Sequence, residues 1–342
     1  MEQAELVLGI ETSCDETSAA VLAGGLDLLS HVTSSQIAVH QVYGGVVPEI
    51  ASREHCLHID TVVESALRDA NVGLRDLAAV AVTFGPGLVG SLLVGVAYAK
   101  ALAFAAGLKF IGVNHLEAHV LANLLENPAL EFPLLALLVS GGHTNLLFFE
   151  KCLSYRVVGR TLDDAAGEAF DKVARALKLG YPGGPYIEKA AALGREDAFA
   201  LPRALLEPGS LDFSFSGLKS AVLNQLNSAR MGGNEVDVSD MAASFQRAVI
   251  DVLVAKSRLA LERFPQARSF ALAGGVAANG TLRRALAEEA AGRGVAFCAP
   301  SPAFCTDNGA MVAVAGSCCY RAGKFSAWDL NAVPGLDLSI NK

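Results

Sequence analysis

Two stretches of the chain share one pattern of apolar and polar positions. Residues 6–22 and residues 134–149 each consist of an apolar run, a short turn rich in Gly, Ser, Thr or Asp, and a second apolar run. This pattern is typical of a β-hairpin. Because the pattern occurs twice, it predicts two lobes of common design.

Helical periodicity follows each hairpin. We predict helices over residues 52–69, 88–106 and 115–126 after the first hairpin, and over 165–179, 239–264 and 282–293 after the second. Apolar runs at 78–83, 270–273 and 295–298 predict strands between these helices. The alternation of strands and helices indicates an α/β fold built in layers.

These elements suggest a domain organisation. We expect an N-terminal lobe over residues 1–113 and a C-terminal lobe over residues 114–342. A segment around 182–235, which is richer in Gly, Pro and Ser, is expected to be an insertion in the second lobe. The C-terminal tail is expected to return to the first lobe.

The composition supports a two-lobed protein of the cytoplasm. The 342 residues are 52% hydrophobic, which is more apolar material than one core usually holds. Seven cysteines, an odd number without paired spacing, argue against a disulfide framework, and the N-terminus lacks the basic region of a signal peptide. The most apolar stretch, residues 87–108, contains Lys100 and several glycines, which favours a buried helix over a membrane span.

The net charge is −8, which by itself argues against a nucleic-acid partner. Local basic patches remain, such as residues 247–268, although from charge alone a solvated helix face is the better explanation of that segment.

Two glycine-rich segments are candidates for ligand binding. The turn 140–144 reads S-G-G-H-T, and paired glycines allow a backbone to approach a phosphate closely. The first hairpin similarly offers hydroxyl groups and nearby carboxylates, from Thr12, Ser13, Thr17, Asp15 and Glu16. The segment 273–279 reads A-G-G-V-A-A-N and joins a strand to a helix, as in a nucleotide cleft. Simple turns and tight strand–helix packing are the competing explanations.

Two histidines four residues apart suggest a metal site. His115 and His119 lie on one face of the predicted helix, opposite most of its leucines. The pattern differs from H-E-x-x-H because Glu117 falls between the histidines on the other side of the helix, which argues against a zinc protease. Histidines that serve only in the core or at the surface are the alternative.

A third ligand is needed, and Asp307 in the segment C-T-D-N-G is the best candidate. An aspartate at this position also suits a helix cap. Cys305 is a soft alternative, but a phosphate-rich substrate favours the oxygen ligand. The acidic start of the helix near 163–171 and the turn Y-P-G-G-P before Glu188 are further polar clusters.

Eleven blocks in order resemble the signature of one family. They are GIETSCDETSAAV, GGVVPEIASREH, GPGLVGSLLVG, H-x-x-x-H, LLVSGGHT, AGEAFDKVARAL, YPGGP, DFSFSGLK, SFQ, AGGVAANGTLR and CTDNGAMVA. Together they cover nearly the whole chain and resemble the TsaD family of tRNA N6-adenosine threonylcarbamoyltransferases, once described as sialoglycoprotein endopeptidases.

The resemblance implies a two-lobed ATPase fold of the actin, Hsp70 and sugar-kinase type, with duplicated hairpin-containing lobes. It implies transfer of threonylcarbamoyl from threonylcarbamoyl-AMP to the N6 amine of the adenosine adjacent to the anticodon, in tRNAs that read codons beginning with adenine, with release of AMP. It further implies action on tRNA together with a paralogous TsaB-type subunit and a small TsaE-type ATPase, and no membrane.

The resemblance also assigns residues. It makes His115, His119 and Asp307 ligands of one divalent metal, usually Fe2+, with Zn2+ as the alternative. The implied nucleotide-binding positions are Leu138, Val139, Ser140, Gly141, Gly142, Asp171, Gly184, Glu188 and Asn279. Glu188 departs from the aspartate common in the family, and no general base is singled out. A metalloprotease, a small-molecule kinase and a non-catalytic nucleotide-binding scaffold are the remaining alternatives.

Overall fold

A computed structural model describes residues 5–204 and 209–338 of the chain. Its ten strands are β1 (Leu6–Glu11), β2 (Glu16–Ala23), β3 (Asp27–Ser35), β4 (Ala79–Gly85), β5 (Lys109–Asn114), β6 (Leu134–Val139), β7 (Thr144–Lys151), β8 (Ser154–Arg160), β9 (Ser269–Ala273) and β10 (Ala296–Cys298).

Helices alternate with these strands over the described residues. They are α1 (Ile37–Gln41), α2 (Pro48–Asp69), α3 (Val89–Ala106), α4 (His115–Leu121), α5 (Asn123–Glu126), α6 (Ala166–Ala176), α7 (Gly183–Ala191), α8 (Ser216–Met231), α9 (Val238–Arg263), α10 (Gly280–Ala291), α11 (Pro302–Cys305) and α12 (Gly309–Arg321). The helix expected over 115–126 is divided at Ala122 into α4 and α5.

Two five-stranded sheets have the same topology. Their strand orders are β3-β2-β1-β4-β5 and β8-β7-β6-β9-β10. In the first sheet, the hairpin strands β1 and β2 are antiparallel, and β4 pairs with β1 in parallel. In the second sheet, β6 and β7 are antiparallel, and β9 pairs with β6 in parallel. The duplicated hairpin-containing α/β fold predicted from the sequence is thereby confirmed.

The first sheet lies between two helical layers. Alternate residues of β1 point to opposite faces, as the two-residue repeat of a strand requires. Leu8 and Ile10 pack with residues of α2 and α3, whereas Val7 packs with residues of α4 and α12. Burial on both faces explains why the central strands read as continuous apolar runs.

The chain divides into two compact units. One contains the described residues up to Leu130, residues 152–154 and those from Pro300 onward; the other contains residues 131–151 and 155–299. The first change of unit therefore falls at 130/131, whereas the sequence placed it at 113/114. Helix α4 lies with the first unit because it packs against α12 and β5. Helices α7 and α8 occupy much of the segment expected to be an insertion.

Helix α3 has the length and apolar composition of a membrane-spanning segment. In this structure it packs along β4 and α2, and core helices share the same length and composition.

Two glycines allow α12 to pack directly on the first sheet. A Cβ atom built on Gly9 would lie 2.8 Å from Ala313 Cα, and one built on Gly309 would lie 2.6 Å from the carbonyl carbon of Ala19.

We expect Gly9→Val to destabilise the protein by about 1–3 kcal/mol, because overpacking forces the backbones apart. Chemical denaturation measures this change.

Gly217→Ala is the matched control, since a Cβ there meets no atom within 4 Å. It lies in α8 and should leave stability unchanged or raise it slightly. Equal stability of the Gly9 variant and the wild type would contradict the close packing.

Candidate functional site

The two histidines are held at the start of α4. Asn114 ends β5 and caps the helix: its Oδ1 accepts hydrogen bonds from Leu116 N (2.9 Å) and Glu117 N (3.3 Å). Asparagine is well suited to this capping position. The cap fixes His115 in the first turn and His119 one turn later, and both rings are buried.

Asp307 completes this cluster from the connection between α11 and α12. Its Oδ1 lies 3.1 Å from His119 Nε2 and 3.4 Å from His115 Nε2. The neighbouring Asn308 caps α12 by accepting a hydrogen bond from Met311 N (2.8 Å). The capping role considered for Asp307 therefore belongs to Asn308, and the Asp307 carboxylate faces the histidines.

These three side chains fit a divalent metal ion. One ligand atom from each lies within 4.8 Å of the others, and two imidazoles with one carboxylate suit iron or zinc. The alternative ligand Cys305 is buried with its thiol directed at the carbonyl oxygens of Pro300 (3.5 Å) and Ser301 (3.3 Å). Glu117, which lies between the two histidines in sequence, lines a separate cavity of about 140 Å³ together with Cys319 and Lys324.

Glu11 belongs to this site and was missed by the sequence analysis. Its carboxylate is fully buried, with Oε2 3.3 Å from His115 Nδ1 and 2.5 Å from the donating Thr83 Oγ1. Its Oε1 accepts a hydrogen bond from Ser13 N (2.5 Å). A carboxylate on Nδ1 orients the ring and leaves Nε2 for a metal. A single charge in an otherwise apolar strand was the available signal, because a buried charge requires a partner.

The electrostatics of the cluster favour a cation. Burial alone would lower the pKa of His115, but Asp307 and Glu11 raise it to about 9. Burial alone would likewise raise the pKa of Glu11, yet its contact with His115 holds it below the usual value. Protonated His115 therefore supplies the positive charge that offsets the two carboxylates.

The second unit contains the expected nucleotide-binding residues. Leu138 and Val139 are buried at the end of β6, whereas Gly141 and Gly142 are exposed in the following turn. Ser140 N donates to His143 O (2.8 Å), and His143 N donates to Ser140 Oγ (3.2 Å), which closes the turn. Neither Gly141 nor Gly142 has a positive φ, and a Cβ on either would meet no atom within 4 Å.

Other glycines bring neighbouring segments against this turn. A Cβ on Gly167 would lie 2.7 Å from the carbonyl carbon of Ser140. Gly274 has a φ of +87°, and a Cβ there would lie 2.8 Å from the carbonyl carbon of Val139. The segments A-G-E-A-F and A-G-G-V-A-A-N therefore converge on the end of β6, where the carbonyls occupy the space that side chains would need.

Two of the remaining residues that were predicted to bind the nucleotide, Asp171 and Glu188, each accept a hydrogen bond from a backbone N–H group. Asp171 Oδ1 accepts a hydrogen bond from Gly183 N (2.6 Å), next to Gly184 at the start of α7. Glu188 Oε1 accepts from Gly280 N (2.8 Å) at the start of α10.

Asn279 caps α10 through its Oδ1, which accepts a hydrogen bond from Leu282 N (2.9 Å). Its Nδ2 donates to Gln246 Oε1 (2.8 Å), which fixes the side chain. Glu188 and Asn279 thus both hold the amino end of α10, and the longer carboxylate at 188 has a structural partner. Their binding roles stay predictions.

The acidic residues before α6 hold the D-F-S-F-S-G-L-K segment. Asp163 accepts hydrogen bonds from Ser214 Oγ (2.6 Å) and Phe215 N (2.9 Å), and Asp164 pairs with Lys219 (2.7 Å). These contacts explain Asp163 and Asp164 without a ligand.

Comparisons with known proteins agree with the motif pattern. The model of the family described as "TsaD: tRNA N6-adenosine threonylcarbamoyltransferase" matches residues 27–314. A protein named tRNA N6-adenosine threonylcarbamoyltransferase from Desulfitobacterium hafniense (strain Y51) is 65% identical over 333 residues, which cover 97% of each chain. Its namesake from Halalkalibacterium halodurans is 55% identical over 338 residues, covering 99% of this chain and 98% of that protein.

Solved structures show a similar fold at low sequence identity. Component A of the (R)-2-hydroxyglutaryl-CoA dehydratase of Acidaminococcus fermentans has a TM-score of 0.56 at 16% identity and covers 93% of this chain and 99% of its own. HypF of T. kodakarensis has a TM-score of 0.61 at 15% identity and covers 96% of this chain and 49% of its own.

We expect His115→Ala and His119→Ala each to reduce bound metal sharply, because two remaining ligands hold an ion weakly.

In the wild type, Zn2+ affinity should rise about tenfold per pH unit below pH 9, since His115 must lose a proton to bind the ion. Calorimetry in buffers of different ionisation enthalpy measures both the affinity and the released proton. Full metal occupancy in the double variant, or an affinity independent of pH, would contradict the assignment.

Proposed function

Because the chain belongs to the tRNA N6-adenosine threonylcarbamoyltransferase family, we propose that it transfers a threonylcarbamoyl group to the N6 amine of an adenosine in tRNA. The observation that carries this proposal is the His115–His119–Asp307 cluster, which forms in a chain that matches its relatives over nearly their whole length. The proposed acceptor is the adenosine adjacent to the anticodon in tRNAs that read codons beginning with adenine.

The proposed donor is threonylcarbamoyl-AMP. The N6 nitrogen forms a bond to the carbamoyl carbon, the bond from that carbon to the phosphate oxygen breaks, and AMP departs with the electron pair. The amine loses one proton to solvent. A mixed anhydride has a good leaving group, so correct placement of the two reactants supplies much of the rate. We assign no side chain as general base.

The metal cluster is proposed to bind one divalent ion, Fe2+ with Zn2+ as the alternative. When bound, the ion supplies a Lewis acid that polarises a carbonyl or phosphoryl oxygen. Glu11 holds the His115 ring with Nε2 directed towards Asp307 (3.4 Å), so that the ligand atoms are arranged beforehand.

The turn at the end of β6 is proposed to bind the adenylate. Gly141 and Gly142 are exposed, and the space beside them is open. Backbone N–H groups in such a turn stabilise the charge on a phosphate. Asp171, Gly184, Glu188 and Asn279 are proposed to contact the rest of the nucleotide. The Glu188 carboxylate and the Asn279 amide lie at the amino end of the 12-residue helix α10, where a carboxylate can accept a hydrogen bond from a ribose hydroxyl.

Other subunits are proposed to take part. A paralogous TsaB-type subunit and a small TsaE-type ATPase are implied by the family resemblance. Leu57 of α2 and Val89, Leu93 and Phe104 of α3 are exposed apolar side chains on neighbouring helices, which suits a protein partner. The net charge of −8 makes help with tRNA binding reasonable. We place the activity in the cytoplasm.

Mass spectrometry of tRNA nucleosides tests the proposed activity. The chain is incubated with unmodified tRNA, threonine, bicarbonate, ATP, the adenylate-forming enzyme and the partner subunits. We expect threonylcarbamoyladenosine and stoichiometric AMP from the transfer step. A reaction that yields neither product, in the presence of bound metal and all partners, rules out the proposal. Phosphate transfer to a small hydroxyl compound would indicate a kinase instead.

Gly141→Val tests the role of the turn. Neither the space around Gly141 nor its φ requires glycine, so the variant should fold and retain its metal. We expect nucleotide affinity and transfer to fall at least tenfold, because the branched side chain fills the space of a phosphate. Gly141→Ala should have a smaller effect. Wild-type affinity and transfer in a folded Val variant would show that the turn binds no nucleotide.

A further inference from the structure

A chain of buried hydrogen bonds links helices α1 and α2 to the turn between β1 and β2. Its side chains are Gln36, His40, His55 and Thr17, of which Gln36 is 2% exposed and the others are fully buried. These residues lie outside the metal cluster and the nucleotide-binding segments described above. Burying four polar side chains is costly unless each is well paired, so their arrangement requires an explanation.

The hydrogen bonds of His40 fix the orientation of Gln36. Val47 N lies 3.2 Å from His40 Nδ1, and a backbone N–H can only donate, so Nδ1 is an acceptor. The neutral ring then carries its proton on Nε2, which donates to Gln36 Oε1 (3.0 Å). The amide nitrogen of Gln36 is left to donate to Ala51 O and to His55 Nδ1, at 3.4 Å each.

His55 is fixed in the same way. Its Nε2 lies 2.9 Å from Cys14 O, which can only accept, so this nitrogen carries the proton. Its Nδ1 accepts from Thr17 Oγ1 (2.7 Å) and from the Gln36 amide. Burial lowers the pKa of His55, which favours this neutral form. A continuous series of donors therefore runs in one direction from Val47 N through His40, Gln36 and His55 to the carbonyl of Cys14.

The carbonyl of Cys14 is the middle one of three successive carbonyls, those of residues 13–15, through which hydrogen bonds fix the turn. Leu88 N donates to Ser13 O (2.8 Å) and Gln36 N donates to Asp15 O (3.0 Å). Cys14 O receives the His55 Nε2 proton at 2.9 Å, whereas Ser91 Oγ approaches it only to 3.5 Å. Among these described contacts, His55 is thus the one close side-chain donor to the turn carbonyls. Unlike the two backbone donors, it can be replaced by mutation.

The turn in question contacts a proposed metal ligand directly. Ser13 Oγ lies 3.1 Å from His115 Nδ1, beside the Glu11 carboxylate at 3.3 Å. Ser13 N also donates to Glu11 Oε1. A shift of the Cys14 carbonyl would therefore move both groups that orient the His115 ring.

We propose that His55 is a positioning residue for the metal site. Through its Nε2–H bond to the Cys14 carbonyl, it holds Ser13 and Glu11 against His115; Gln36 and His40 act on the same site by fixing the tautomer of His55. This inference rests on the proposed function only in taking His115 as a metal ligand.

Two amide substitutions separate the two nitrogens of the ring. His55→Gln places an amide near the position of Nε2 and retains a donor for Cys14. His55→Asn places an amide near Nδ1, where it meets Thr17 and Gln36 but does not reach Cys14. Both introduce a polar side chain of similar chemistry, so a role in packing alone would affect them similarly.

Calorimetric titration with Zn2+ of the full, metal-free chain is the primary measurement. We expect His55→Asn to weaken Zn2+ binding roughly tenfold, at the low end of the effects of residues outside the first coordination shell. His55→Gln should retain most of the affinity. In the metal-free protein, 15N NMR of the His115 ring should change in the Asn variant and remain close to wild type in the Gln variant.

His58→Asn is the matched control. His58 lies on the same helix, is partly exposed and contacts Glu54 Oε2 (3.3 Å), so this variant should bind Zn2+ like the wild type. Equal Zn2+ affinities of the Asn and Gln variants would overturn the proposal, whether both are lowered or both unchanged. Since wild-type transfer is measured separately by nucleoside mass spectrometry, failure of the proposed function and failure of this inference are distinguishable.

Discussion

The close packing of α12 on β1 and β2 is the contact on which the candidate metal site depends. Gly9 and Gly309 lack the side chains that would separate the two layers. Ser18 Oγ also accepts a hydrogen bond from Gly309 N (2.8 Å), which fixes the first turn of the helix on the sheet. Asp307 precedes this turn and therefore reaches His119 from 188 positions along the chain. The site is assembled by layer packing rather than by a local motif.

This assembly concentrates negative charge where water is scarce. Glu11 ends β1, Asp15 lies in the following turn, Glu16 begins β2 and Asp307 precedes α12. Burial raises the pKa of Glu16 to about 8 and also raises that of Asp15. Protons and the charge on His115 thus offset part of this charge in the metal-free protein. A divalent ion would replace them, which explains why a ligand set with one carboxylate is surrounded by further acids.

Strongly patterned elements were predictable from the sequence, and weakly patterned ones were not. The hairpins β1–β2 and β6–β7 and the helix α3 stand out as continuous apolar runs, and the long helices α2 and α9 have a helical apolar periodicity. The edge strands β3, β5 and β8 were missed, and β3 and β8 mix exposed with partly buried positions. The domain boundary was displaced because packing of α4 on α12 is a long-range contact that no local pattern reveals.

The same difference applies to the site. His115 and His119 were identifiable because a helix repeat places them on one face, and Asp307 stood in an unusual polar cluster. Glu11 and His55 were not, since each acts through a partner that is distant in sequence. The glycines of the β6–β7 turn were recognised, but their backbone is not left-handed; the glycines required for close approach are Gly167 and Gly274, in other segments.

The repeated sheet topology places a hairpin turn at the same position in both units, but the two turns differ in which groups they expose. In the first, three successive carbonyls are held by donors from other elements, and the turn presents side chains. In the second, Gly141 and Gly142 leave a bare backbone open to solvent. The same topological position is therefore occupied by a turn that is fixed through its carbonyls in one unit and by a turn with an exposed backbone in the other.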